Sequence, residues 1–335
     1  MPERLPLPGF VNVHSHAFQR ALRGRAEGAD FWGWRDSMLE LARGLTQARV
    51  RLDYEAAFRE MRDAGYTAVG EFHYVGLSEA KAAVEAARAA GVELVLLLAA
   101  YGRGGIDRFR QESPAAYLAQ VEELGAGGAR VGVAPHSVRA CTADWLREIG
   151  RYAEREKLVL HIHADEQPRE IEECMAEHGL RPIQLLAETG CLGPRTTIVH
   201  GTHADDAELD LLAEAGGRIC VCPTTEANLG DGFAPVGRIR ERGICLCIGS
   251  DSNVRIDPLE ELRELEGTAR RQELRRNVIS PVELLEIGSS EGARALGLDE
   301  WPGIEVDLSH VSLRGVDRVG VEPALVFGCG ADVIL

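Results

Sequence analysis

The chain has 335 residues, with 37 Lys or Arg against 53 Asp or Glu for a formal net charge of −16, and 45% of it is hydrophobic. That length excludes a small disulfide- or zinc-stapled scaffold and leaves open one large barrel or two ordinary domains. The acidic balance argues against nucleic acid or an anionic membrane as partner, because both call for clustered positive charge. It does not set the sign of a small-molecule substrate, since a few local arginines outweigh a global field.

Residues 1–8 carry three prolines and no apolar segment of a secretory signal. No run of about 18 apolar residues occurs. Strand-like runs follow at 10–13, 66–72, 92–99, 130–134, 158–162, 196–199, 218–221 and 244–248, so the chain is expected to begin almost at its first strand. Between them lie helical patterns such as 53–64, 77–90, 115–124, 142–156 and 204–215. Gly65, Gly91, Gly216 and Gly243 stand between a helix and the next strand, where C-terminal capping takes glycine. Continuous apolar strands alternating with helices imply a parallel sheet covered on both faces. Eight such units imply an α/β protein of the (β/α)8 TIM barrel class rather than an open doubly wound sheet. The open sheet would place a Gly-rich phosphate loop after strand one, where this chain has His14-Ser15-His16.

Two stretches break the repeat. Residues 20–50 form a long excursion containing Phe31-Trp32-Gly33-Trp34-Arg35, expected to be a lid or binding wall over the strand ends. Residues 304–314 and 324–335 read as β segments outside the barrel, which divides the chain into a barrel at 1–300 and a small β appendage at 301–335. The eight cysteines are too sparse for a disulfide framework. Cys220 with Cys222, and Cys245 with Cys247, each share one strand face and are expected to fill a reduced, cytoplasmic core.

In this architecture the chemistry gathers at the C-terminal ends of the strands. Six histidines, His14, His16, His73, His136, His163 and His200, end five of the predicted strands, with Glu71, Tyr101, His161, Glu166, His203, Thr224, Glu226 and Asp251 nearby. One such histidine is ordinarily a satisfied polar residue; several on one rim point to a metal. His14 and His16, two apart on a strand, face the same way and reach one ion. With His163 after strand five and Asp251 after strand eight they make three imidazoles and one carboxylate, which suits Zn2+ with a position left for water. Glu166 is placed to move a proton between nucleophile and substrate nitrogen. Of the two histidines after strand six, His200 is the better catalytic candidate and His203 the capping or supporting one. His161 is expected to pack.

The order His14-x-His16, His163, His200, Asp251 resembles the amidohydrolase superfamily. Longer words narrow it. Asn12-Val13-His14-Ser15-His16-Ala17-Phe18-Gln19-Arg20-Ala21, Glu71-Phe72-His73-Tyr74, Pro135-His136-Ser137-Val138-Arg139-Ala140 and Cys222-Pro223-Thr224-Thr225-Glu226-Ala227-Asn228-Leu229-Gly230-Asp231-Gly232, with the Trp-Gly-Trp word above, resemble its N-formimino-L-glutamate deiminase family across about residues 7–298. The resemblance implies one Zn2+ per chain, with iron as the other permitted metal, held by His14, His16, His163 and Asp251. It implies catalytic roles for His200, Glu166 and Asp251, and substrate contacts from Gln19, Arg35, Tyr74, His136 and Arg139. The implied reaction is hydrolytic deimination of N-formimino-L-glutamate to N-formyl-L-glutamate and ammonia, a step of histidine degradation. Guanidinium forks at Arg35 and Arg139 would suit the two carboxylates of such a substrate.

Family members build a small β-sandwich from a longer N-terminal segment and the C-terminal tail, so the appendage here is expected to be a shortened remnant. Two other functions stay open. One is a related zinc aminohydrolase acting on a purine-, pterin- or other ring amidine, which has no need of two arginine forks. The other is a catalytically silent barrel serving as a binding subunit, against which the intact ligand set argues. The expected partner is a small anionic substrate, with a homodimer the one macromolecular association left open.

Overall fold

The computed structural model describes residues 4–25 and 27–335. Among them run ten strands: β1 (Arg4–Pro8), β2 (Phe10–Ser15), β3 (Tyr66–His73), β4 (Glu93–Ala100), β5 (Arg130–Pro135), β6 (Leu160–Ala164), β7 (Thr196–His200), β8 (Arg218–Val221), β9 (Cys245–Ile248) and β10 (Gly303–Asp307). Strands β2 to β9 pair in chain order as one parallel eight-stranded sheet. β2 and β3 are buried at every position, which is why such strands read as unbroken apolar runs. The sheet meets itself through the bridge Ser15–Asp251, with His16 N–H donating to Asp251 O at 2.8 Å and Asp251 N–H to His14 O at 2.9 Å. The fold is the expected (β/α)8 barrel, and its last seam is closed by the candidate ligands themselves. The four predicted capping glycines all adopt positive φ, from 67° to 96°, a conformation that costs glycine nothing.

The excursion after β2 is helical. A 3-10 turn, Ala17–Leu22, leads to α1 (Phe31–Arg43) and α2 (Gln47–Asp63). Asp30 caps α1 by accepting from Gly33 N–H, and Thr46 caps α2 by accepting from Arg49 N–H, so α2 starts at Gln47 rather than at 53. The Trp-Gly-Trp word is the first turn of α1.

The tail differs from expectation after Asp307: residues 308–314, expected to be strand, form a turn and the 3-10 helix Val311–Leu313, and the second segment departs altogether. β10 does form a strand, antiparallel to β1 in a separate two-stranded sheet with Leu5 opposite Val306. Residues 324–335 are not a strand: helix Val321–Gly328 and a 3-10 turn Ala331–Val333 occupy them, with one bridge from Ile334 to Val306. Buried Val321, Leu325 and Val326 stand at i, i+4 and i+5, a helical spacing that a short apolar run conceals. All eight cysteines are free, as expected; Cys245, the first residue of β9, is exposed and does not share the burial of Cys247. No helix of the described residues is long and apolar enough to cross a membrane.

Candidate active site

At the C-terminal end of the barrel four buried side chains from three strand ends converge: His14 from β2 and His16 just after it, His163 from β6, and Asp251 just after β9. His14 Nε2 lies 3.1 Å from His16 Nε2 and 3.1 Å from His163 Nε2. Asp251 Oδ1 is 3.4 Å from His14 Nε2 and 3.3 Å from His16 Nε2. Four ligands bound tetrahedrally at about 2.0–2.1 Å would sit about 3.3 Å apart, so the spacing fits one ion.

The protonation pattern fits as well. His16 Nδ1 donates to Phe72 O and His163 Nδ1 to His136 O, each at 2.9 Å, because a carbonyl can only accept. Those bonds leave the Nε2 atoms of both rings as lone pairs aimed at one point. Burial pushes His14 down to about 3 and lowers His16 and His163 too, which keeps all three imidazoles neutral. Burial pushes the Asp251 carboxyl up, but its hydrogen bond to His14 and the surrounding histidines outweigh that and hold it below its ordinary range. The two fixed Nε2 lone pairs, with His14 Nε2 3.1 Å from each and Asp251 Oδ1 3.3 Å from that of His16, form a donor set that fits a cation.

His200, the last residue of β7, adopts φ +74°, a left-handed strain for a side-chain-bearing residue that often marks a functional position. Its Nε2 faces the cluster, 3.9 Å from Asp251 Oδ2 and 3.8 Å from Glu166 Oε1, and its Nδ1 lies 3.2 Å from Glu226 Oε1. Burial opposes a charge on His200, yet Glu166, the Glu226 hydrogen bond and Asp251 together raise it well above the ordinary histidine value. Glu166 is itself held from the far side, with Arg139 Nη2 3.3 Å from its Oε2.

A cleft of about 760 Å³, counting the space open to solvent, leads to this cluster. Gln19, Arg35, Tyr74, His136 and Arg139, all five expected substrate contacts, line it. Trp34, Met38 and Leu39 of α1 form one wall, so the excursion after β2 covers the strand ends. Gln19 Nε2 donates to Tyr74 OH at 2.8 Å, which steadies both. Arg139 is less free than a surface fork: its Nε also lies 3.6 Å from Glu170 Oε1.

Other strand-end histidines point elsewhere. His73 Nε2 donates to Gly76 O at 3.0 Å and its Nδ1 lies 3.0 Å from Tyr54 OH. His161 Nε2 donates to Ala295 O at 3.0 Å, and His203 Nε2 to Asp231 O at 2.7 Å; Asp205, not His203, caps the following helix.

Two groups of residues escaped the sequence reading. Glu170 is buried, accepts from Glu166 N–H at 3.1 Å and faces Arg139; only its position one turn after Glu166 hinted at it. Asn12, Ser250 and Asn253 form a buried staple beneath the ligands. Asn12 Nδ2 donates to Ser250 Oγ at 2.6 Å, Ser250 Oγ to Asn253 Oδ1 at 2.7 Å, and Asn253 Nδ2 to Ser15 Oγ at 3.2 Å. A polar residue inside an otherwise apolar strand, as Asn12 is, was the available signal.

Residues 6–306 match the amidohydrolase family. The chain belongs to that family. This amidohydrolase is similar to formimidoylglutamate deiminase of Pseudomonas aeruginosa, 38% identical over 327 residues that cover 87% of this chain and 72% of that protein. It is also similar to a 5-methylthioadenosine/S-adenosylhomocysteine deaminase of Haloarcula marismortui, 30% identical over 92% of this chain and 73% of that protein. Among solved structures, an amidohydrolase from Brucella melitensis superposes with a TM-score of 0.86 at 32% identity, over 98% of this chain and 84% of that one. The amidohydrolase is therefore an enzyme, a hydrolase with a candidate metal site at its barrel mouth.

Proposed function

We propose that this amidohydrolase hydrolyses N-formimino-L-glutamate to N-formyl-L-glutamate and ammonia, with one Zn2+ per chain held by His14, His16, His163 and Asp251. The observation that carries this reading is that Arg35 and Arg139 line the same cavity as the ligand cluster. Two guanidiniums in a chain of net charge −16 are the feature a dicarboxylate substrate requires. When bound there, a divalent ion lowers the pKa of a water toward 7 and polarises the reacting carbon.

The chain's own residues do the rest. Arg35 and Arg139 hold the carboxylates, and Gln19, Tyr74 and His136 orient the amidine over the cluster. Asp251 Oδ2 takes a proton from the attacking water, and His200 Nε2 donates a hydrogen bond to the oxygen as it joins the carbon. Glu166 delivers a proton to the imino nitrogen. The carbon–nitrogen bond then breaks as Asp251 returns its proton to the nitrogen and the added hydroxyl gives its proton to Glu166, so that ammonia leaves, the carbonyl of the formyl group forms and both carboxyl groups regain their starting state.

A second reading has support of its own. The deaminase relative acting on an adenosine derivative aligns over as much of the chain, and Phe31, Trp34 and Tyr101 give the cavity ring-stacking walls. The deciding experiment is ammonia release from N-formimino-L-glutamate and from 5-methylthioadenosine, each with and without added zinc. Release from the first substrate only supports the proposal; release from the second only, at full metal occupancy, overturns it.

A further inference from the structure

We propose that Glu226 is a positioning residue that fixes the ring orientation of His200 and keeps its Nδ1 protonated. Its carboxylate is buried on the short helix Pro223–Leu229. Glu226 Oε1 receives two hydrogen bonds: one from Cys222 N–H at 2.9 Å, and one across 3.2 Å from His200 Nδ1. Glu226 N–H in turn donates to Cys222 O at 2.9 Å, and Glu226 O accepts from Asp231 N–H at 3.0 Å, so the residue is tied at backbone and side chain. An acceptor fixed at Nδ1 keeps the proton on that nitrogen and aims Nε2 at Asp251 and Glu166. His200 needs such a tether because its backbone sits at φ +74°, outside the comfortable range of a non-glycine residue.

Glu226 also lines a second cleft of about 440 Å³, counting the space open to solvent, bounded by Val221, Phe233 and Leu265 and not including the ligand cluster. A small carboxylate entering by that route would reach the space a truncated Glu226 leaves. The inference rests on the proposed hydrolytic role of His200, but one arm of its test does not.

The test uses full-length Glu226→Ala and Glu226→Gln. Glu226→Ala should lower kcat by about 10²–10⁴-fold with KM changed less than about threefold, as for loss of the group that orients a catalytic histidine. Formate should recover part of that kcat. Glu226→Gln should lose less, because Cys222 N–H holds the amide oxygen where His200 also finds it. Independently of any substrate, 15N spectra of histidine-labelled, metal-free protein should show a hydrogen-bonded Nδ1–H for His200 that is retained in Glu226→Gln and lost in Glu226→Ala. A wild-type kcat in Glu226→Ala, a loss confined to KM, or an unchanged His200 signal in that variant overturns the proposal. If the wild-type enzyme hydrolyses neither test substrate, the proposed function fails while the spectra still decide the role of Glu226.

Discussion

Arg139 brings its Nη2 to 3.3 Å from Glu166 Oε2, so a guanidinium expected to bind substrate also restrains a carboxylate expected to move a proton. The two residues lie 27 positions apart on separate strand-end loops. Arg139 therefore acts on binding and on chemistry at once, unlike Arg35, which makes no ion pair among the described residues and lies 5.8 Å over the Trp32 ring.

Arg139→Gln should accordingly lower kcat and raise KM for N-formimino-L-glutamate, with kcat/KM falling by about 10²–10³-fold. Arg35→Gln should act mainly on KM. Steady-state ammonia release separates the two. Equal, KM-only effects would show that Arg139 does not restrain Glu166.

Stripping the metal should abolish ammonia release and lower the melting temperature by several degrees, because binding to the folded cluster is linked to folding. Added zinc should restore both. Asp251→Asn, which leaves the three imidazoles without their carboxylate, should show the low melting temperature at any zinc concentration up to micromolar. Calorimetry with metal analysis checks this.

Gly249 lies against the first ligand. A Cβ there would stand 2.7 Å from His14 O and 2.8 Å from His14 Cβ, both fixed by strand β2. Gly249→Ala should displace His14, weaken zinc retention during dialysis and cost about 1–3 kcal/mol of stability. Unchanged metal content and unchanged denaturation would show that the strand yields at no cost.

His73 gives the acid limb of stability. It is fully buried and its neutral ring is satisfied at both nitrogens, donating to Gly76 O and accepting from Tyr54 OH. Burial lowers it from about 6.5 to about 4. The unfolded chain thus takes up this proton first, so the stabilisation is fully present above pH 6.5 and is lost as pH falls toward 4, up to about 3 kcal/mol. Urea denaturation at pH 7.5 and 5 should show a smaller acid loss for His73→Gln than for the wild type.

The barrel strands were legible because burial on both faces leaves no alternation to decode, and glycines punctuate each helix-to-strand turn. His14 and His16 were legible as a pair because residues two apart on a strand share a face. The segment 324–335 was not, since a short apolar run fits a strand or a buried helix equally and only packing of Leu325 and Val326 chooses. Helix α1 and the first turns of α2 were hidden, within an excursion whose aromatic word reads as a loop until Asp30 and Thr46 are recognised as caps.

By itself, then, the sequence determined the element order, the eight-fold repeat and which polar side chains stand at strand ends, since these follow from local periodicity and parity. Only the tertiary structure decided which of those side chains meet. Glu226 is 26 residues from His200 and Glu166 is 27 from Arg139, and their contacts depend on the angle at which neighbouring strands deliver their loops. The same closure turned His73 outward to Tyr54 and brought Asp251 back to His14, because a sheet that curves into a barrel joins its first strand to its last.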